Sequence, residues 1–302
     1  MGTETLRKDE LSFRVADVEF KLSFFGIDNP RFLLPSYAPF YLERGDSQSL
    51  VMSMDVAPNQ LDFTPEGEEL GQFDCGDINH GVYRRLDGGY KILISNIKGE
   101  PACAFCASED FSQCKVSLFG DRENCRFGLN NAIMIAFAFA GAYHGILLMH
   151  ASVTMYDGKG YLFLGKSGTG KSTHSSLWIK HIYGADLLND DNPAVRVLED
   201  GSVWVYGTPW SGKTPCYRNQ KVKAGAFVRL EQYPENIIKR NRKLEAFASV
   251  LSSCSTMIWD KPSYDAIIDN ISKIIPNIPA YYMKCRPDRE AALLCNKIIT
   301  HE

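Results

Sequence analysis

Apolar and polar residues alternate along the chain from about residue 11 to residue 125. The runs LSFRVADVEFKLSFF, SLVMSMDV, GVYRRLDGGYKILISNI and CKVSLFG have β character and are separated by Gly, Asp, Asn and Pro. This spacing predicts an antiparallel, β-rich region. Within GVYRRLDGGYKILI, Asp87, Gly88 and Gly89 stand between two alternating runs. Such residues accept the positive φ of a tight turn, so the segment predicts a β-hairpin.

From Phe127 the texture changes. The pattern predicts a helix over about Leu129 to Tyr143, a strand from Ile146 to Tyr156, a four-residue turn Asp157 to Gly160 and a strand from Tyr161 to Leu164. A helix from Lys171 to Tyr183 follows, then a short strand ending at Asn189 and further strands at Ala194 to Leu198, Val203 to Tyr206 and Ala224 to Leu230. The last third reads as helices at Lys243 to Ser253, Tyr264 to Ile274 and Asp288 to Ile299, with a strand at Ala280 to Cys285. The expected division is therefore a β-rich N-terminal region, 1–126, and an α/β (α+β) catalytic domain, 127–302. Between Phe127 and Tyr156 there is no Asp, Glu, Lys or Arg, a stretch long enough to span a bilayer. Asn130, Asn131, Gly141, His144, Gly145 and His150 interrupt it, and it ends in a β-like segment. A buried helix followed by a buried strand is the expectation, with no membrane partner.

Composition narrows the class. The chain has 302 residues, 45% hydrophobic and 23% charged, close to the globular average. Lys and Arg total 33 against 36 Asp and Glu, giving a net charge of -3, so no overall positive field would gather nucleic acid. Nine cysteines, an odd and scattered set, do not form the pattern of a disulfide framework. With no apolar segment behind the basic residues of the start, and Leu6 where a myristoylation signal wants Ser or Thr, a cytoplasmic location is expected. Homo-oligomer assembly is left open.

The strongest chemical signal is Gly165, Lys166, Ser167, Gly168, Thr169, Gly170, Lys171 and Ser172, followed by Thr173. It matches G-x-x-x-x-G-K-[ST] in full, directly after an apolar strand and before a helical run. The glycines let successive N–H groups converge on phosphate oxygens, and the helix start adds its positive dipole end. Lys171 then meets the β and γ phosphates, and Ser172 offers a hydroxyl to Mg²⁺. ATP and Mg²⁺ are the implied cofactors. The strand that enters this loop follows a hairpin, whereas the common phosphate-loop enzymes enter from a parallel βαβ unit.

Asp190 and Asp191 end a short strand 19 residues after Lys171, enough chain for a helix to go out and a strand to return. Adjacent strand-end residues point in different directions, so one carboxylate can face a metal and the other an attacking hydroxyl. His150, in the apolar segment LLMHAS, pairs through the hairpin with the strand that enters the loop, and the register allows it near the mouth of the site. His174 and His181 share a helix, but nothing else of metal-ligand character joins them.

Together the run MHASVTMYDGKGYLFLGKSGTGKST and the later LLNDDN resemble the catalytic core of HPr kinase/phosphorylase and of ATP-dependent phosphoenolpyruvate carboxykinase, over about residues 145 to 230. The resemblance implies a phosphoenolpyruvate-carboxykinase-like phosphate-loop domain in which strand histidine, loop and Asp-Asp pair form one site. It implies Asp190 as the base that takes a hydroxyl proton, and Asp191 and Ser172 at the metal. His150 is placed either on a second divalent metal or near the transferred phosphate. The smaller relatives that phosphorylate serine are the nearest in kind. Gly207 to Lys213 resembles the substrate-side loop of such kinases, with Lys213 and Arg218 available to neutralise the transferring phosphate or to hold an acceptor carboxylate. Trp210 in that loop either covers the site or caps the core.

The function expected is transfer of a phosphoryl group from ATP to a hydroxyl of a small molecule or peptide with a serine-like acceptor. The alternatives are a carboxykinase-type lyase acting on an oxo acid and a nucleotide-gated binding module without turnover. The single C-x-x-C, Cys103 to Cys106, lacks the second pair of a zinc site and reads as core packing.

Overall fold

A computed structural model of the protein describes residues 8–45, 47–74, 79–212 and 214–301. The chain forms two compact units that divide between His144 and Gly145, each a large mixed sheet with helices, an α+β architecture.

The N-terminal unit holds β1 (Lys8–Val15), β2 (Val18–Phe25), β3 (Tyr41–Leu42), β4 (Leu50–Val56), β5 (Glu68–Asp74), β6 (Asn79–Arg84), β7 (Tyr90–Ser95), β8 (Pro101–Ala107), β9 (Gln113–Leu118) and the helix α1 (Arg122–Ala142). Its sheet runs in the order β3-β1-β2-β4-β9-β8-β7-β6-β5. The hairpin expected around Gly88 is the β6–β7 pair, with Arg84 opposite Tyr90 and Gly88 at φ 87°. The sheet is not antiparallel throughout. β4 runs parallel to both β2 and β9. The long segment after β2 crosses over before pairing, and the antiparallel meander from β5 to β8 returns the chain to the far side of β4.

Asp121 caps α1 by accepting from the Asn124 N–H. The helix begins seven residues earlier than its apolar pattern suggested, because its first turns are polar. It is long and apolar enough to cross a membrane by length and composition, and 67% of its most apolar window is buried in the structure. Phe137 packs on Phe20 and Phe139 on Phe111. A Cβ at Gly128 would lie 2.6 Å from the Ala102 carbonyl oxygen, so glycine allows the close seat on β8. This packing moves the division between units from the expected 126/127 to after α1. Cys103 and Cys106 are buried on β8 as free thiols.

The C-terminal unit holds β10 (Ile146–Leu148), β11 (Ala151–Tyr156), β12 (Lys159–Leu164), α2 (Lys171–His181), β13 (Asp186–Asp191), β14 (Ala194–Val197), β15 (Val203–Tyr206), β16 (Lys221–Gln232), β17 (Ile237–Arg240), α3 (Lys243–Leu251), α4 (Lys261–Ile274), β18 (Ala280–Cys285) and α5 (Arg289–Thr300). The sheet order is β10-β14-β15-β16-β12-β11-β13, with β18 beside β16 and β17 beside β18. β12 is antiparallel to β11 and parallel to β16. The turn between β11 and β12 is tighter than expected: Tyr156 pairs with Lys159, and Asp157 and Gly158 alone turn the chain at φ 49° and 72°.

On one face of this sheet, Trp178 of α2 is fully buried among Tyr161, Phe163, Val228, Tyr281, Met283 and Cys295. Side chains of this kind contribute roughly 1.5–3 kcal/mol each on burial, and they fix α2 against β12 and α5. Strand alternation sends Arg229 of β16 to the other face, where it meets α3.

Candidate functional site

The site is assembled by strand register. Leu164, the last residue of β12, pairs with Ala151 of β11, and Ala151 pairs with Asp191 of β13. One rung earlier, Phe163, Ser152 and Asp190 line up in the same way. The start of the phosphate loop, the start of β11 and the end of β13 therefore meet at one edge. The single strand expected from Ile146 to Tyr156 is interrupted at Met149 and His150. Their N–H groups donate to Pro193 O and Ser253 O, at 3.1 and 2.7 Å, in place of a regular ladder. The interruption frees the His150 side chain to lie over the loop. Ser152 and Ser175 share a 2.6 Å hydroxyl contact that ties α2 to the same rung.

Gly165, Gly168 and Gly170 adopt φ 153°, 78° and 105°, values that residues with a Cβ rarely adopt. Thr169 closes the loop through its N–H and hydroxyl, both donating to Lys166 O at 3.2 and 2.6 Å. Gln232 of β16 braces it from outside, donating to Gly168 O at 3.1 Å. Among the described residues no hydrogen bond ends on the N–H of Lys166, Ser167, Gly168 or Gly170, and the first N–H groups of α2 have no partner within the helix. The result is a concave set of unpaired donors at a positive dipole end, an anion cradle.

Lys171 is buried at 8% exposure, and its Nζ donates to Gly165 O at 3.0 Å and contacts His150 Nε2 at 2.8 Å. The other ring nitrogen, Nδ1, lies 3.0 Å from Asp191 Oδ1. With an ammonium donating to Nε2, the consistent tautomer places the His150 proton on Nδ1, donated to Asp191. Burial lowers the Lys171 pKa, the charges of Asp191 and Asp190 raise it, and the Arg229 guanidinium lowers it further; the net shift is downward. Asp191 itself sits at φ 153°, an uncommon conformation for a non-glycine residue, and Asn192 donates to its Oδ2 at 2.9 Å.

Asp190 is 4% exposed, and no hydrogen bond among the described residues ends on its carboxylate. Its backbone carbonyl accepts from Gly212 N at 2.6 Å and from the Ser211 hydroxyl at 3.3 Å. The second loop therefore does close over the end of β13. Thr208 donates to Asn192 O at 2.6 Å, and Asn189 Nδ2 donates to the Thr208 hydroxyl and to Trp210 O, both at 3.1 Å. Trp210 is buried at 2% exposure, capping the core beneath the loop.

The register thus gathers Gly165, Lys166, Ser167, Gly168, Thr169, Gly170, Lys171, Ser172 and Thr173 with His150, Asp190 and Asp191. Lys213 lies outside the described residues. Arg218 is not brought to this site. It makes a bidentate pair with Asp186, which lowers the carboxyl pKa. Asp186 pairs with Met155, so it lies four residues from Asp190 along β13, roughly 13 Å at the usual strand rise. His174 is also absorbed by the core, where it accepts from Trp178 Nε1 at 3.1 Å and burial lowers its pKa to about 4.

Sequence reasoning did not single out Gln232 or Arg229. Arg229 is paired in register with Leu164, and the signal was a lone arginine within the apolar run AFVRL.

As a setting for Mg²⁺, the exposed Ser172 at the first turn of α2 and the carboxylates of Asp190 and Asp191 are the hard oxygen donors that this ion takes. Among the described residues no group of three or more His, Cys, Asp or Glu converges to hold a metal. An ion of this kind is commonly held by few protein ligands together with phosphate oxygens and water. Both ring nitrogens of His150 are partnered, so ligation of a second metal by His150 requires one contact to break.

No protein-family model matches the sequence, and no curated protein does. Among solved structures the chain is similar to the Hpr(Ser) kinase/phosphatase from Coxiella burnetii, with 13% sequence identity and a TM-score of 0.31, over 51% of this chain and 88% of that one.

Proposed function

We propose that the protein is a phosphotransferase that moves the γ-phosphoryl group of ATP to a hydroxyl of a small molecule or a peptide, with a serine-like acceptor. The observation that carries the reading is the junction of an unpaired amide cradle, a buried lysine and a strand-end pair of aspartates on adjacent rungs of one sheet. The loop amides and Lys171 bind and orient the phosphates. A cleft of about 720 Å³ adjoins the loop, walled by Thr173, Leu177, Leu230, Tyr233 and Pro234. Its size suits a nucleoside.

Asp190 is the group assigned to take the acceptor's proton. The hydroxyl oxygen forms the new bond to phosphorus, the bond to the β-phosphate oxygen breaks, and ADP leaves. Mg²⁺, when bound, neutralises β- and γ-phosphate charge, with Ser172 and Asp191 as its protein oxygens. His150 fixes the position of Lys171 through one nitrogen and of Asp191 through the other.

The test is incubation with γ-labelled ATP and a panel of hydroxyl metabolites and serine peptides. Label that moves to a hydroxyl supports the reading. Label that moves only to an added oxo acid, as its enol phosphate with loss of CO₂, supports the lyase, and retention of all label on bound ATP supports a binding module.

A further inference from the structure

Arg229 is half-buried, and its guanidinium has no carboxylate partner among the described residues. It donates to Ser249 Oγ at 2.9 Å, Ser249 O at 2.6 Å, Ser252 Oγ at 2.6 Å and Ser253 Oγ at 2.9 Å. These oxygens are neutral. They solvate the cation and cap the end of α3 without cancelling its charge, and burial lowers the pKa. Serine hydroxyls can also rotate, so a guanidinium held this way can exchange donors to a stronger acceptor.

The surroundings of this cation favour an anion. Arg229 lines a cavity of about 370 Å³ with Lys239, Asn241, Glu245 and Tyr282. Lys239 Nζ lies over the Tyr282 ring, 5.6 Å from its centroid, and 3.9 Å from Glu245 Oε1. The Glu245 carboxylate is shared with the start of α3, where Oε2 accepts from Arg242 N at 2.9 Å. The one carboxylate lining the cavity is thus engaged by Lys239 and the start of α3, and the Arg229 guanidinium is left with neutral partners.

Position decides the role. Arg229 pairs with Leu164, immediately before the phosphate loop, and its neighbour Ser253 accepts the His150 N–H. The alternating residues Leu230 and Gln232 line the larger cleft beside α2, so β16 sends one face to each cavity. A nucleotide in the α2-side cleft and a second molecule in the Arg229 cavity would approach the end of β12 from opposite sheet faces.

We infer that the Arg229 cavity receives the anionic group, a carboxylate or a phosphate, of the hydroxyl acceptor. This rests on the phosphotransferase reading for the word acceptor, while the anion site itself is testable by binding alone. The guanidinium of Arg229 meets only neutral oxygens, whereas that of Arg218 is paired with Asp186.

The experiment is equilibrium titration of three hydroxyl anions, L-serine, D-glycerate and glycerol 3-phosphate, into the protein saturated with magnesium and a non-hydrolysable ATP analogue, with glycerol as the neutral control. At least one anion should bind in preference to glycerol, and Arg229→Gln should weaken it by roughly 10- to 100-fold, the loss expected when a charge-assisted hydrogen bond is removed. Affinity for the ATP analogue should change little. Arg229→Gln also removes two contacts to α3 and two to the residues that follow it, so Lys239→Gln, which leaves those contacts intact, is the second variant and should weaken the same anion by several-fold. No anion binding by the parent protein, or anion affinity untouched in Lys239→Gln and in folded Arg229→Gln, overturns the inference. If the anion binds through Arg229 yet receives no phosphoryl group from ATP, the anion site stands and the phosphotransferase reading falls.

Discussion

Lys171 and Asp191 are held at the two nitrogens of one imidazole, with Nζ 2.8 Å from His150 Nε2 and Oδ1 3.0 Å from His150 Nδ1. The lysine of the phosphate loop is thus positioned before any phosphate arrives. Its remaining donors go to backbone carbonyls of the loop itself.

His150→Ala should therefore impair turnover much more than stability. The side chain is 43% exposed, so its loss creates no closed cavity and should cost on the order of 1 kcal/mol or less. Loss of the spacer should lower kcat by roughly tenfold or more, since misplacing a catalytic group by an ångström costs that much. Melting temperature and kcat measured on one preparation check this. A large drop in melting temperature with kcat intact would make His150 a packing residue.

Asp190→Asn should leave ATP affinity within a few-fold and reduce transfer by roughly 10²- to 10⁴-fold, the range for a positioned general base. Asp191→Asn keeps the shape but weakens the acceptor for His150 Nδ1 and should raise the Mg²⁺ concentration needed for half-maximal rate. Initial rates across a Mg²⁺ series with each variant separate the roles. Reversed phenotypes would exchange base and metal ligand between the two residues.

The core histidine gives a pH dependence of stability. In the folded protein His174 titrates at about 4, below its ordinary 6.5, because burial disfavours the imidazolium. Below the ordinary value the unfolded chain binds a proton that the folded protein refuses, so stability falls as pH drops from 6.5 toward about 4. The full effect is on the order of 3 kcal/mol. His174→Gln keeps an acceptor for Trp178 and removes the titration. Urea midpoints should fall less in the variant than in the parent between about pH 7 and about pH 4.5, and equal falls would contradict the assignment.

The elements nearest the site were the most legible in the sequence. The apolar strand, the Gly-Lys-Ser loop and the helix behind it are local patterns, and β12, the loop and α2 form where they stand. The Asp-Gly turn set the β11–β12 hairpin and with it the proximity of His150. What local pattern does not contain is pairing between distant strands. Nothing near Leu50 to Val56 marks β4 as parallel to both neighbours, since that depends on where the chain returns. Likewise the pairing of Arg218 with Asp186 joins residues 32 apart, and the register of Arg229 with Leu164 joins strands separated by the whole site. The apolar pattern of α1 was visible, but only its packing on β8 assigns it to the N-terminal unit.

The central claim is that Gly165 to Ser172 binds the phosphates of a nucleotide with Lys171 as the charged partner. Calorimetric titration of Mg-ATP into the parent protein and into Lys171→Ala tests it most directly. The account predicts saturable one-to-one binding by the parent and an affinity roughly 100-fold lower in the variant, the loss of one buried charge-assisted contact to phosphate. Undiminished ATP affinity in Lys171→Ala, or no binding by the parent protein, would contradict it.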